Sequence, residues 1–207
     1  MTIFIKILLV SLLPSLAIAK EIKTTKAIIP IHSQKVSIQL PSTWKAAFQQ
    51  KQKDSYLIEF IPKNESIKNW NNIVSIQGFR GLSFLYSAEQ FLNKIAARFE
   101  TVCGENTIYN KLGTANIDGY STYNAILGCS KAPKPHATGI NKNQSEIGYY
   151  YSIQGENDIY LIHKSIRGNS FNLDDSPLKK ENIKEFLKII TPIELCKNEG
   201  SPTVCVK

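Results

Sequence analysis

Four cysteines are the residues of this chain with the most obvious capacity for chemistry. Cys103 and Cys129 lie 26 positions apart, and Cys196 and Cys205 lie 9 positions apart. A zinc site needs close thiol pairs or interleaved histidines, and this spacing provides neither. A nucleophilic thiol would need an activating base and would have to escape oxidation. Four cysteines permit three disulfide connectivities. We expect Cys103 to pair with Cys129, and Cys196 to pair with Cys205 and close a tail loop over 196–205.

The disulfide interpretation depends on the compartment, and residues 1–19 bear on it. Lys6 precedes the apolar run 7–13, and small residues occupy positions 17 and 19. This pattern predicts a cleavable signal peptide, with cleavage near Ala19 and a periplasmic or secreted mature protein. The apolar run is too short to span a bilayer comfortably, and no other stretch approaches eighteen uncharged apolar residues. We therefore expect no integral membrane segment after cleavage.

Other residues with catalytic potential do not form a recognisable motif. The three histidines, at positions 32, 136 and 163, lack the cysteine or carboxylate spacing of a metal site. The segment 119–123 has only the first half of a Gly-x-Ser-x-Gly elbow. Asp174 and Asp175 are adjacent in a polar loop, which suits a helix start better than a pair of catalytic carboxylates. The sequence therefore predicts no enzyme activity, no metal and no cofactor.

The charge pattern narrows the class of partner. The net charge is +8, and the lysines are spread along the chain, with local density only at 45–53 and in the last helical segment. Most charge runs of this kind are solvated faces. No nucleic-acid module interleaves these lysines with stacking aromatics, so we expect no nucleic-acid partner. The expected partner is an unidentified protein or small ligand, and the expected state is a monomer.

The elements that must position these residues can be located from periodicity. Residues 36–40, 56–61 and 73–79 alternate as strands, and proline follows the first two. Ser87 and Gln90 have the form of a capping box before a helix whose apolar residues have helical spacing. Gly104 is placed to end that helix, which puts Cys103 at its last turn.

The second half of the chain is predicted to be mostly sheet. We expect a short strand over 106–111, a turn over 112–115 and a longer strand over 119–130 that carries Cys129 on an apolar face. Residues 131–145 are rich in Pro, Asn, Lys and Gly and predict a long loop. A hairpin over 146–167 should place Tyr150 on the opposite face from Tyr149 and Tyr151. An amphipathic helix over 183–190 should end at Pro192.

Together these elements predict a single exported α+β domain over 20–207, with an antiparallel sheet packed against two main helices. The segments VSIQLPSTW, YLIEFIP and NESIKNWNNIVSIQGF, followed by a capped helix, antiparallel strands and a final helix, resemble the PsbP-like fold, also seen in DcrB-type bacterial envelope proteins. The resemblance covers roughly residues 34–192. It implies a non-enzymatic accessory or binding role, and the cysteines and the loop at 131–145 lie outside its pattern.

A binding surface is the remaining candidate site. Trp70, Phe79, Arg80 and Tyr150 are the residues we select for it, because aromatic residues and arginine concentrate at the energetic centres of interfaces. For each tryptophan, filling the core or capping one end of it is the favoured role. The leading interpretation is an exported binding or accessory protein. A secreted effector or inhibitor-like module acting on another protein is an alternative, and a hydrolase with a noncontiguous site is a second one.

Overall fold

The computed structural model describes residues 23–133, 140–201 and 205. The predicted signal peptide therefore lies outside the described residues, as does the middle of the predicted loop at 131–145. The described elements are, in chain order, β1 (Thr24–Ile31), β2 (Gln34–Pro41), β3 (Trp44–Lys51), β4 (Ser55–Pro62), β5 (Asn72–Phe79), α1 (Ala88–Cys103), β6 (Thr107–Ile117), β7 (Tyr120–Cys129), β8 (Gln144–Gln154), β9 (Ile159–Asn169), α2 (Ile183–Leu187) and β10 (Glu194–Lys197).

The fold class is α+β, as predicted, but the described strands form two sheets rather than one. Seven strands form an antiparallel sheet in the order β3-β4-β5-β9-β8-β7-β6, and three form a smaller sheet in the order β1-β2-β10. One face of the large sheet packs against α1, and the other packs against the small sheet and α2. The predicted hairpin of β8 and β9 lies near the centre, so both of its faces are buried.

Helix α1 forms as the sequence predicts. The Ser87 hydroxyl accepts a hydrogen bond from the Gln90 backbone N–H, and the Gln90 side chain accepts one from the Ser87 N–H. The buried face of the helix packs on the β7 residues Tyr123, Ala125 and Leu127. Gly104 follows with φ of 56°, a conformation that L-residues rarely adopt. A disulfide joins Cys103 to Cys129 and fixes the end of the helix on the sheet.

The second predicted disulfide, between Cys196 and Cys205, is also present. Cys196 lies on β10, which pairs with β2 through Lys35. The Lys35 ammonium is buried and donates hydrogen bonds of 2.7 Å and 2.8 Å to the backbone carbonyls of Glu199 and Ser201. The tail is therefore attached to the small sheet by strand pairing, a disulfide and a buried lysine.

Two predicted elements are wrong in detail. The turn predicted over 112–115 does not occur, because β6 continues through a bulge between Lys111 and Gly113, where Gly113 has φ of 104°. The chain reverses instead at Asp118 and Gly119. The final helix predicted over 183–190 is shorter, although Ile183, Phe186, Leu187 and Ile190 do all pack on the core between the sheets. No helix in the described ranges is long and apolar enough to cross a membrane.

Candidate functional site

A groove lies on the face of the large sheet that α1 occupies. The helix packs over β6, β7 and β8, which leaves room on this face above β4, β5 and β9. The connection between β4 and β5 closes the other side. The groove is open to solvent on one side and has a volume of about 810 Å³, which is within the range of small-molecule sites. One wall comprises Ile95, Arg98 and Phe99 of α1, the facing wall Ile67, Lys68 and Trp70, and the outer edge Phe48 and Leu57.

A row of polar side chains crosses the floor of this groove. Glu59 on β4 pairs with Ser75 on β5, Ser75 pairs with His163 on β9, and His163 pairs with Tyr150 on β8. Directly paired residues in a sheet project from the same face, so all four side chains point towards the helix side. Glu59, His163 and Tyr150 line the groove. Ser75 lies between them and has no exposed surface.

His163 is held as a neutral ring. Its imidazole stacks on the Tyr150 ring, with centroids 4.4 Å apart and planes inclined by 14°. Its Nδ1 is 2.9 Å from the Ser165 hydroxyl, with which it shares a hydrogen bond. Burial lowers the pKa of His163 to about 3, because the desolvated imidazolium is disfavoured. The same burial raises the pKa of the Tyr150 phenol far above its ordinary value, so both rings are uncharged near neutral pH.

An ion pair lies at one end of the groove. Arg167 donates to the Glu146 carboxylate through Nε and a terminal nitrogen, both at 2.9 Å. The guanidinium also lies over the Trp70 ring, 3.8 Å from its centroid. The Arg167 side chain is only 4% exposed, so this is a largely desolvated pair. Such a pair is sensitive to loss of either partner, since the remaining charge would be buried alone.

Glu59 differs from Glu146 in its surroundings. It is half-buried, and no hydrogen bond or ion pair reaches it from the described residues. Burial raises its pKa, and the nearby Glu146 carboxylate raises it further, with a smaller opposing effect from Arg167. The fold therefore places a carboxylate in the groove to which no residue of the described ranges gives a hydrogen-bond or ion-pair partner.

The first disulfide positions one wall of the groove. Cys129 pairs in register with Glu146, so the bridge to Cys103 lies in the same cross-sheet row as the ion pair. Phe99, one turn before Cys103, contacts the Tyr150 ring edge-on, with centroids 6.1 Å apart. Gly148 lies on β8 between Glu146 and Tyr150. A Cβ added there would come within 2.6 Å of the Lys164 carbonyl oxygen and would also overlap the Ser165 hydroxyl. Close packing and a covalent bond thus hold α1 against the sheet here.

The structure divides the residues selected from the sequence between two places. Trp70 and Tyr150 both line the groove, and each is buried. Phe79 and Arg80 lie at the opposite end of β5. The Phe79 ring packs on Phe91 of α1, 4.9 Å between centroids, and Arg80 is exposed, 3.5 Å from the ring of His32. The four residues therefore do not form one continuous surface.

Several groove residues were missed by the sequence analysis. Glu59, Glu146 and Arg167 each stand alone in a strand with ordinary alternation, so no local motif indicates them. The sequence does hold a signal for the shared face. Glu146 and Tyr150 are an even number of residues apart on β8, as are His163 and Arg167 on β9, so each pair projects from one face of the sheet. Within the described part of the chain, no group of three or more His, Cys, Asp or Glu side chains is placed to hold a metal ion.

Comparison with known proteins gives matches only among solved structures. No family model matches the chain. No curated protein matches it either. A mutant of the protein Mog1 matches with a TM-score of 0.43 and 10% identity, over 79% of this chain and 82% of that one. The Ran-binding protein Mog1p of Saccharomyces cerevisiae gives 0.42 and 10% over the same shares. A protein of Bacteroides thetaiotaomicron gives 0.34 and 12%, over 72% of this chain and 52% of that one.

Proposed function

We propose that this protein is an exported, non-enzymatic binding protein that holds a ligand in the groove between α1 and the connection of β4 to β5. The observation that carries the proposal is the composition of the groove. Its walls are mainly apolar and aromatic, and Glu59 on its floor has no hydrogen-bond or ion-pair partner among the described residues. Ligand sites characteristically combine an apolar lining with a small number of placed polar groups.

The disulfides support the exported part of the proposal. Both bridges use all four cysteines of the chain, and stable disulfides form mainly in oxidising compartments. With the signal-like residues 1–19, this favours a periplasmic or secreted protein. The test is fractionation of cells that express the full chain, with non-reducing mass mapping of the recovered protein. We expect a start near Lys20 and two bridged pairs. An unprocessed amino terminus with four reduced thiols would overturn this part.

The resemblance to PsbP-like proteins gives a further reason to propose an accessory role, since members of that family are mostly binding proteins. The hydrolase alternative gains no support from the groove. The hydroxyl that bonds His163 is that of Ser165, which has no exposed surface, so a substrate could not reach it. His163 is also a weak base, because burial lowers its pKa to about 3.

Ligand binding in the groove can be tested with the neutral dye Nile red, whose emission reports an apolar site. We expect saturable binding with one dye per chain. Leu57→Trp places a large side chain in the groove and should raise the Kd about tenfold or more. Leu173→Trp is the matched control, because Leu173 is exposed and lies outside the groove. Equal binding by both variants would show that the dye does not occupy the groove.

A further inference from the structure

The charges at the floor of the groove are unlike those of the protein as a whole. The chain carries a net charge of +8. The floor and its end carry two carboxylates, Glu59 and Glu146, and one guanidinium, Arg167. That guanidinium is directed at Glu146 and stacked on Trp70. One negative charge, on Glu59, is therefore left over at the floor of the groove.

The groups next to Glu59 are also hydrogen-bond acceptors. Ser75 pairs directly with Glu59 across the sheet, and its buried hydroxyl has no partner among the described residues. Gln77 lies two residues further along β5 on the same face, lines the groove and pairs with Leu57. Directly opposed side chains in a sheet have Cβ atoms about 5 Å apart. The Glu59 carboxylate and the Gln77 amide oxygen are therefore diagonal neighbours that both line the groove, while the Ser75 hydroxyl is buried beside them.

We infer that the ligand of this groove is a protonated amine with an apolar body, whose ammonium group lies against Glu59 while its body lies between Phe48, Leu57 and Phe99. This inference rests on the proposed binding function and specifies its ligand class. An ammonium group offers up to three N–H donors, which suits the two acceptors that line the groove here, the Glu59 carboxylate and the Gln77 amide oxygen. Pairing also removes the cost of keeping a carboxylate half-buried without a partner.

The aromatic residues around the groove suit the same class. Phe48 on the outer edge is 41% exposed, and Phe99 and Trp70 belong to the two facing walls. Aromatic faces attract cations, and the effect grows as water is removed. Two cations, Lys68 and Arg98, do lie on the walls, but both are exposed to solvent. An anionic ligand that reached the floor would instead meet the Glu59 carboxylate, since the Arg167 guanidinium is directed at Glu146.

Three probes of similar shape and different charge test the inference. They are 2-phenylethylamine, 2-phenylethanol and 3-phenylpropionate, titrated into the oxidised protein while tryptophan emission is followed with excitation at 295 nm. Trp70 lies in the groove and reports occupancy. The variants are Glu59→Gln, which keeps the shape and removes the charge, and Glu181→Gln, an exposed position outside the groove. Thermal unfolding of each variant verifies that it is folded.

We expect the amine to bind about tenfold more tightly than the alcohol, and Glu59→Gln to reduce the amine to the affinity of the alcohol. Glu181→Gln should leave all three affinities unchanged. If the alcohol or the carboxylate binds as tightly as the amine, or if Glu59→Gln has no effect, the groove is a binding site but the assignment to amines is wrong. If none of the three probes binds while Nile red also fails, the proposed function itself is refuted.

Discussion

The buried histidine at the floor of the groove predicts a specific pH dependence of stability. His163 is 9% exposed, and its pKa falls from 6.5 to about 3 in the folded protein. As the pH falls below 6.5, the unfolded chain takes up a proton at this residue that the folded chain does not. The free energy of unfolding is therefore not reduced by His163 above pH 6.5, and it falls progressively as the pH drops from 6.5 towards 3.

The size of the effect follows from the pKa difference. Each pH unit below 6.5 corresponds to about 1.4 kcal/mol while the folded ring stays neutral. At pH 4.5, about two units lower, the free energy of unfolding should therefore have fallen by about 2 to 3 kcal/mol through this residue alone. Glu59 acts in the opposite direction, because its folded pKa is raised and protonation favours the folded state as the pH falls. The lowered pKa of Asp158 matters only below its ordinary value of 3.8. A comparison of variants between pH 7.5 and 4.5 is therefore needed to separate His163 from the rest.

The comparison uses His163→Gln and, as its control, Tyr150→Phe. Urea unfolding of the oxidised proteins, followed by tryptophan emission, gives the free energy of unfolding at each pH. His163→Gln should be less stable than the wild type at pH 7.5, and the difference should shrink by about 2 to 3 kcal/mol by pH 4.5. Tyr150→Phe removes a group that does not titrate in this range, so its difference from the wild type should stay constant. A constant difference for His163→Gln as well would refute the argument.

Three further predictions concern the fold around the groove. Replacing Cys103 and Cys129 with serine should lower the free energy of unfolding by about 2 to 4 kcal/mol. The same change should weaken Nile red binding. Unchanged binding would show that the disulfide does not hold the groove wall in place. Gly148→Ala should lower the free energy of unfolding in urea by about 1 to 3 kcal/mol, because the added methyl group overpacks the sheet beneath α1. In the control Gly168→Ala a Cβ has open space, so the loss should be far smaller. Equal losses would contradict the packing argument. Ser75→Ala removes a buried hydroxyl that has no partner among the described residues. In the same assay the free energy of unfolding should stay unchanged or rise. A loss of more than about 1 kcal/mol would indicate a hydrogen bond that the structure does not show.

The parts of the fold with local signals were predictable from the sequence. The capping box fixed the start of α1, and alternation in β8 assigned Tyr150 to the opposite face from Tyr149. Two of the strands that were missed, β3 and β10, lack such signals. In β3 nearly all side chains are exposed, so the residues from Trp44 to Lys51 show no apolar alternation. The four residues of β10 are too few for a periodic pattern, and they form a strand because β2 offers a partner.

The groove was less predictable because it depends on the order of strands in the sheet. Glu59, Ser75 and His163 are neighbours only because β9 inserts beside β5, and this pairing joins segments about 90 residues apart in the chain. Periodicity can say which face a side chain takes, but it cannot say which strand lies next to it. Odd and even positions along β4, β5 and β9 lie on opposite faces, so this alternation would have narrowed the candidates to the polar residues of one face. It would not have shown that these residues are neighbours.

The cost of this floor is itself an argument that it serves a ligand. The buried Ser75 hydroxyl, without a partner among the described residues, reduces the stability of the folded state by about 1 to 3 kcal/mol, and burial disfavours the ionised form of the half-buried Glu59 carboxylate. Apolar side chains at Glu59 and Ser75 would avoid that cost. Both groups lie in one cross-sheet row, Glu59 lines the groove with its apolar walls, and the bridge from Cys103 to Cys129 stabilises the wall above them. A ligand that donated hydrogen bonds to Glu59 would recover part of this cost on binding, which is how a stability deficit in the free protein becomes affinity and selectivity in the complex.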